Sequence, residues 1–213
     1  MPTIVRVAHF DVNLSRVLGV GGFGKVYRAK DISEDPPMEC AAKQVTCMPE
    51  AELKKEVELM RQVGDHPSII SFRHFEQVAA DHETPEVRNS SWIFMEMATG
   101  GELFDRLIDS GNLTERAVAP YFKGIVEGLL HCHARGVVHR DIKLENVMLC
   151  AEDPHAIKLV DFGLAVRMPS KADGGGGFEE GALLYDKVGS KSYRAPEVLA
   201  SRGYRAPPVD VWA

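Results

Sequence analysis

Gly19-Val20-Gly21-Gly22-Phe23-Gly24-Lys25-Val26 follows the spacing G-x-G-x-x-G-x-V. Glycines so placed let backbone N–H groups lie against phosphate oxygens with no Cβ in the way. Read alone, the pattern is equally that of a glycine-rich hairpin. A dinucleotide-binding turn is disfavoured, because the strand-like run Val26-Tyr27-Arg28-Ala29 stands where that turn needs a helix. Lys43, in Ala42-Lys43-Gln44, sits on the next strand-like run, where an ammonium could reach phosphate oxygens, although a lone strand lysine is ordinarily just solvated. Farther on come His139-Arg140-Asp141-Ile142-Lys143-Leu144-Glu145-Asn146, then Asp161-Phe162-Gly163, then Ala195-Pro196-Glu197. Each tripeptide alone carries a real risk of chance occurrence. In this order, behind a glycine loop and a strand lysine, chance ceases to explain them.

Two other clusters invite chemistry and do not carry it. His131-Cys132-His133 could be written as a metal cluster, but residues i and i+2 of a helix project to different faces, so helix packing is the better reading. Cys150 lies just after the run His139 to Asn146, yet nothing in the sequence lowers its pKa, which favours an inert thiol over a redox switch.

At these motifs the sequence resembles the eukaryotic protein kinase family, from about His9 to the last residue. Lys143 and Gly189-Ser190 resemble the serine/threonine type. Gly100 to Asp105 and Leu130 to His139 look most like the calcium/calmodulin-dependent and plant calcium-dependent group, though no EF-hand or calmodulin-target helix is present. The resemblance implies transfer of the γ-phosphate of ATP to Ser or Thr hydroxyls of protein substrates, with ATP and Mg²⁺ as cofactors and an upstream activating kinase as a further partner. Phosphoryl transfer asks the protein chiefly to position groups and supply charge. Lys43 is then expected to hold the α- and β-phosphates and to pair with a glutamate of the following helix, Glu56 first and Glu52 second. Asn146 and Asp161 would be the Mg²⁺ ligands. Asp141 would accept the substrate hydroxyl's proton, and Lys143 would steady the γ-phosphate.

The same resemblance extends to the adenine pocket. Gly19, Gly21 and Gly24 would cover the phosphates. Leu18, Val26, Ala41 and Met148 would sandwich the base, with Met95 at its back, Glu96, Met97 and Ala98 as the hinge, and Glu102 against the ribose. Met60, Phe72, His139 and Phe162 resemble a stacked apolar column, which makes His139 structural rather than a general base. Arg140 is the cation that in many kinases meets a phosphate, so Tyr185, Ser190 and Ser192 are candidate phosphorylation sites, with Glu179 and Glu180 as acidic substitutes. Ser190 has an alternative structural job against Asp141 and Lys143. Leu144 stands where the family usually has Pro, and the spacing from Lys43 to Glu56 is short. Asp210 resembles the anchor of the catalytic-loop backbone.

These side chains need elements to hold them. Alternation from Arg6 to Lys30 reads as two strands around a tight turn, and Cys40–Val45 as a third. Leu53, Val57, Met60 and Val63 share one face of a helix over residues 50–63. Ile69–Phe75 and Trp92–Met97 read as strands. After Gly100-Gly101 the pattern turns helical, Thr114 capping a long helix in which Pro120 predicts a bend or a late start. Residues 156–160 read as a further strand, and Asp173-Gly174-Gly175-Gly176-Gly177 as part of a mobile segment.

The fold class expected is therefore α+β: a bilobal protein kinase-like fold over 9–213, with a small antiparallel β lobe carrying one helix (9–97) and a mainly helical lobe (98–213). ATP–Mg²⁺ is expected between the lobes. The family continues with more helices past the motif Asp210-Val211-Trp212, so a truncated helical lobe and exposed apolar surface are expected. The alternatives are a nucleotide-binding pseudokinase or inactive regulatory fragment, and, more remotely, an NAD-binding oxidoreductase.

Composition agrees with an ordinary globular chain: 213 residues, 45% hydrophobic and 26% charged. Twenty-five Lys and Arg against 31 Asp and Glu give a net charge of −6, which argues against a surface built to coat nucleic acid or acidic lipid. No nucleic-acid or membrane partner is expected. Four sparse cysteines and the lack of a long apolar run predict a soluble, cytoplasmic-type protein with reduced thiols.

Overall fold

The computed structural model describes residues 3–22, 24–111, 114–168, 183–200 and 202–213. The glycine-rich segment around residues 173–177, Glu179 and Glu180 lie outside them. The chain forms two compact units, Met1–Val57 with Ser71–Met97, and Glu58–Ile70 with Ala98–Ala213. The break after Met97 coincides with the start of the helical pattern. Residues 58–70, expected within the small lobe, instead count with the second unit.

The first unit is a six-stranded antiparallel sheet in the order β1-β2-β3-β4-β6-β5. Its strands are β1 (Ile4–Val7), β2 (Phe10–Gly21), β3 (Gly24–Asp31), β4 (Met38–Val45), β5 (Phe72–Val78) and β6 (Ser90–Met95). The stretch read as two strands is three, because Ala8 adopts a positive φ of 49° and turns β1 back on β2 with Val7 opposite Phe10. Strand alternation sends Phe10, Val12, Tyr27, Ala29, Cys40, Ala42, Trp92 and Phe94 to one face, where they form a closed apolar cluster. Phe10 and Phe94 stack there at 3.8 Å. The strand expected over Ile69–Phe75 starts only at Phe72, since Ile69 and Ile70 are drawn onto the second unit's backbone by the bond from Ile70 N to Leu159 O.

Helix α1 (Glu50–Val63) buries the predicted face: Leu53, Val57, Met60 and Val63 are all at most 5% exposed. Its first half, with Leu53, Glu56 and Val57, belongs to the first unit.

The second unit holds α2 (Leu103–Ser110), α3 (Glu115–Ala134), β7 (Val137–Val138), β8 (Val147–Leu149), β9 (Ile157–Leu159), β10 (Val166–Arg167), α4 (Pro196–Leu199) and α5 (Ala206–Trp212). Two small antiparallel ladders, β7–β10 and β8–β9, frame the catalytic motifs. The Thr114 side chain caps α3 by accepting from Ala117 N at 3.3 Å. Pro120 lies inside this helix, so the late start does not occur. Gly124 and Gly128, one turn apart, let α3 lie directly on β9: a Cβ at either position would come within 2.9 Å of Ile157 or Leu159. Among the described residues no helix is long and apolar enough to cross a membrane.

Candidate active site

In the first unit the sheet register sets the site. Gly19 faces Val26, Val26 faces Lys43, and Lys43 faces Ile93, so these residues form one row on the face opposite the aromatic cluster. Ala41 and its partner Met95 form the next row on that face. Leu18 falls in a register shift between Val17 and Gly19 and is half exposed. Glu96 donates from its amide to Ser71 O at 2.9 Å, continuing the β6 backbone toward Met97.

The glycines at the β2–β3 turn differ in what requires them. At Gly24, with φ of 154°, a Cβ would fall 1.8 Å from Gln44 O, so β4 itself demands glycine. At Gly19, Gly21 and Gly22 a Cβ would meet nothing within 4 Å. Internal packing does not call for glycine there, and the backbone is left unobstructed.

Lys43 Nζ donates to Glu56 Oε1 at 2.7 Å, with side chains 13% and 2% exposed. The short Lys43–Glu56 spacing thus still delivers the glutamate to the ammonium. A buried carboxylate at this distance fixes the Lys43 cation on the face that also carries Gly19, Val26 and Ala41.

The second unit centres on Asp141, 7% exposed. Its Oδ1 accepts from Ser190 N and Ser190 Oγ, both at 2.9 Å. Its Oδ2 accepts from Lys143 Nζ at 2.8 Å and Asn146 Nδ2 at 3.0 Å. Lys143 Nζ also donates to Ser190 Oγ at 3.0 Å. Burial pushes the Asp141 carboxyl up, but the hydrogen bonds from Lys143 and Ser190 together outweigh it and hold it below its ordinary value. Burial works against the Lys143 charge, and Asp141, with Asp161 and Glu145 behind it, more than restores it. The pair is therefore a carboxylate and an ammonium at neutral pH.

Asn146 spends its Nδ2 on Asp141, donating to both Asp141 O at 2.8 Å and Oδ2. Its amide oxygen takes no part in these bonds and is a hard donor of the kind a divalent cation accepts. Asp161 presents an exposed carboxylate at a positive φ of 65°, one residue after Val160, whose amide donates to Asn146 O at 3.0 Å. Among the described residues no group of three or more His, Cys, Asp or Glu side chains is gathered to hold a metal. One amide and one carboxylate oxygen fit Mg²⁺, which keeps waters and phosphate oxygens for its remaining positions.

Asp210, 3% exposed, anchors the catalytic loop. It accepts from His139 N at 2.9 Å and Arg140 N at 2.7 Å, and its Oδ2 meets His133 Nε2 at 2.8 Å. His139 donates from Nε2 to Val160 O, accepts from Asp141 N at Nδ1, and packs its ring 4.9 Å from Phe162. Both ring nitrogens are committed to backbone, which leaves His139 a structural residue. Cys132, buried between the two neighbouring histidines of α3, has its thiol pushed up to about 12 by burial. His131 and His133 point to separate partners, Val63 O and Asp210.

Glu102 precedes α2 and bridges Met148 across a short antiparallel contact. Burial, then the charges of Asp105 and Glu145, raise its carboxyl. Arg140 is the residue whose partners the sequence missed. It donates from Nε to Leu164 O at 2.8 Å and from Nη1 to Asp186 Oδ2 at 2.6 Å and Tyr204 Oη at 3.2 Å. Tyr204 Oη in turn donates to Asp186 O at 3.0 Å. Asp186 is thus an acid that meets Arg140, and its only sequence signal was a carboxylate three residues before Gly189; Glu179 and Glu180 lie outside the described residues. Of the two readings of Ser190, the geometry favours the structural one, because a phosphate on its Oγ would sit against the Asp141 carboxylate.

A family model described as the protein kinase domain matches residues 12–213. The chain is 37% identical over 205 residues to CBL-interacting serine/threonine-protein kinase 1 of Arabidopsis thaliana, covering 94% of this chain and 42% of that protein. It is 36% identical over 205 residues to calcium-dependent protein kinase 14 of the same plant, covering 94% and 35%. It is 34% identical over 208 residues to a putative CBL-interacting protein kinase 27 of Oryza sativa subsp. japonica, covering 94% and 46%. The chain spans less than half the length of these curated relatives. With the catalytic motifs, the sheet carrying Lys43 and the family match in agreement, this chain belongs to the protein kinase domain family.

Proposed function

We propose that the chain is the catalytic part of a serine/threonine protein kinase, transferring the γ-phosphate of ATP to Ser or Thr hydroxyls of proteins. The observation that carries this reading is the network around Asp141, in which a depressed carboxylate, a raised lysine and the Asn146 amide N–H group converge. ATP with Mg²⁺, when bound, supplies the phosphoryl group and the divalent charge. Lys43, fixed by Glu56, is the cation for the α- and β-phosphates, beneath the open backbone of Gly19 and Gly21. Asn146 and Asp161 are the oxygen ligands. Val26, Ala41, Met95, Met148 and Leu18 are the apolar residues assigned to the base, Glu96 and Met97 the hinge, and Glu102 the ribose contact.

Asp141 has four hydrogen-bond donors on two oxygens, which fills a carboxylate's acceptor positions. A substrate hydroxyl must therefore displace one. Lys143 is the donor able to leave, since it keeps Ser190 Oγ as a partner and gains phosphate oxygens. Its departure frees Oδ2 to orient the hydroxyl and to accept its proton late, as suits a weak base and a loose transition state. Arg140 has its charge met by Asp186, so ordering of the segment after residue 183 does not wait on a phosphate at Tyr185 or Ser192. No observation among the described residues favours a non-catalytic reading.

The test is transfer of radiolabelled phosphate from ATP to a basic Ser/Thr peptide, with Asp161→Ala alongside. The expected result is a loss of about 10³-fold or more in the variant, with its fold intact by circular dichroism. Transfer that survives Asp161→Ala would overturn the assignment.

A further inference from the structure

The C-terminal ends of α1 and α3 meet through two histidines that no catalytic role uses. His131, on α3, has its Nε2 2.9 Å from Val63 O and its Nδ1 3.0 Å from Arg135 Nη1. A carbonyl only accepts and a guanidinium only donates, so these partners assign the neutral Nε2–H tautomer. The ring of His66, in the turn after α1, packs 4.4 Å from the His131 ring. His66 Nδ1 accepts from Ser68 N at 3.1 Å and is therefore also without a proton. Ser68 in turn is bound into β9, its carbonyl accepting from Leu159 N at 2.9 Å. Gln62 Nε2 donates to Arg135 O and closes the junction from the α1 side.

We propose that this His66–His131 pair is a built-in acid-labile latch, joining the end of α1 to α3 while both rings are neutral and loosening when either is protonated. Adding a proton to His131 sets Nδ1–H against the Arg135 guanidinium. The Val63 carbonyl is served in both protonation states, so it does not oppose this. Adding a proton to His66 removes the acceptor for Ser68 N, so the ring loses its own link to the Ser68 backbone that is bound into β9, and lays a cation on the neighbouring ring. Arg135 on α3 and Lys158 on β9 face His66 with like charge, while Glu127 on α3 faces it with opposite charge. Glu127 is also engaged by Lys123 at 3.1 Å. The negative ends of the two helices favour a cation, and Arg135 already provides it. Burial, then His131, hold His66 below the ordinary histidine value, with Arg135 and Lys158 adding to that and Glu127 opposing it.

The sign follows from that lowering. A histidine that resists protonation in the folded chain leaves stability intact above its unfolded value, and stability is lost as pH falls below that value toward the folded one. The latch needs no assumption about the reaction catalysed.

The experiment compares denaturant unfolding of the chain at pH 7.5 and 5.5 with that of the double variant His66→Asn, His131→Gln. Asn keeps an acceptor for Ser68 N, and Gln keeps a donor and an acceptor for Val63 O and Arg135, so the latch is retained without titration. The unfolding equilibrium constant of the unmodified chain is expected to rise on acidification by several-fold more than that of the variant, because the lowered His66 resists the proton only in the folded chain. Equal rises would overturn the proposal. Nitrogen-15 NMR of the unmodified chain gives an independent reading: His131 should be the neutral Nε2–H tautomer at pH 7.5, and a proton on its Nδ1 there would overturn the proposal even if the variant failed to fold.

Discussion

The two units hold their charged residues in opposite ways. In the first, Lys43 is fixed by a single 2.7 Å ion pair to Glu56, on a sheet whose aromatic core lies on the other face. In the second, Asp141 takes four hydrogen bonds, and the loop carrying it is pinned by two backbone bonds to Asp210, which also meets His133 of α3. The contrast separates two kinds of site. A single buried pair on the face away from the aromatic core can be broken at less cost to that core. A hub that replaces missing backbone partners is part of the fold itself, because removing it strands buried N–H groups.

Breaking the hub should have the largest effect. Asp210→Asn puts an amide where His139 N, Arg140 N and His133 all need acceptors, and should cost about 3 kcal/mol, or about 6–12 °C in the melting of the second unit. A calorimetric scan checks this, and a shift under about 2 °C would mean the loop is held otherwise. Breaking the pair should cost activity more than stability. Glu56→Gln keeps a hydrogen-bond acceptor for Lys43 but leaves its ammonium unneutralised at a buried position, so it should lower phosphate transfer by about 10- to 100-fold and lower the melting temperature by a few degrees, less than Asp210→Asn does. Transfer kinetics and the same scan together decide it; a large loss of stability would erase the distinction between the units. Asp186→Asn sharpens the comparison from within the second unit, where Arg140 keeps Leu164 O and Tyr204 after the carboxylate is gone. Its transfer rate should fall by about fivefold, since one charged contact of several is lost. Unchanged kinetics would mean that Asp186 does not serve Arg140.

How far the sequence reached depends on the distance between the residues involved. The α1 face of Leu53, Val57, Met60 and Val63 repeats within one helix, and it is buried as read. The long helix was also legible, Thr114 cap included, yet of its apolar residues Leu129 is buried whereas Phe122 and Leu130 are 67% and 63% exposed. Periodicity names apolar positions without saying which of them meets a neighbour, and here Gly124 and Gly128 choose the face by admitting β9. The strand expected at Ile69 starts at Phe72 for a similar reason: Leu159, far along the chain, takes the backbone of Ile70.

Local motifs were enough to name the family and to single out Lys43, Asp141, Lys143, Asn146 and Asp161 as site candidates, because each lies in a short run whose spacing is local. The packing of the folded chain settled that Asp186 faces Arg140, that Ser190 is bonded to Asp141, and that His131 and His133 serve different partners. Those contacts join residues 46 to 77 positions apart. Which carboxylate or carbonyl arrives beside a given donor across such a separation is set by how the helices and strands pack, and no local pattern of residues encodes it.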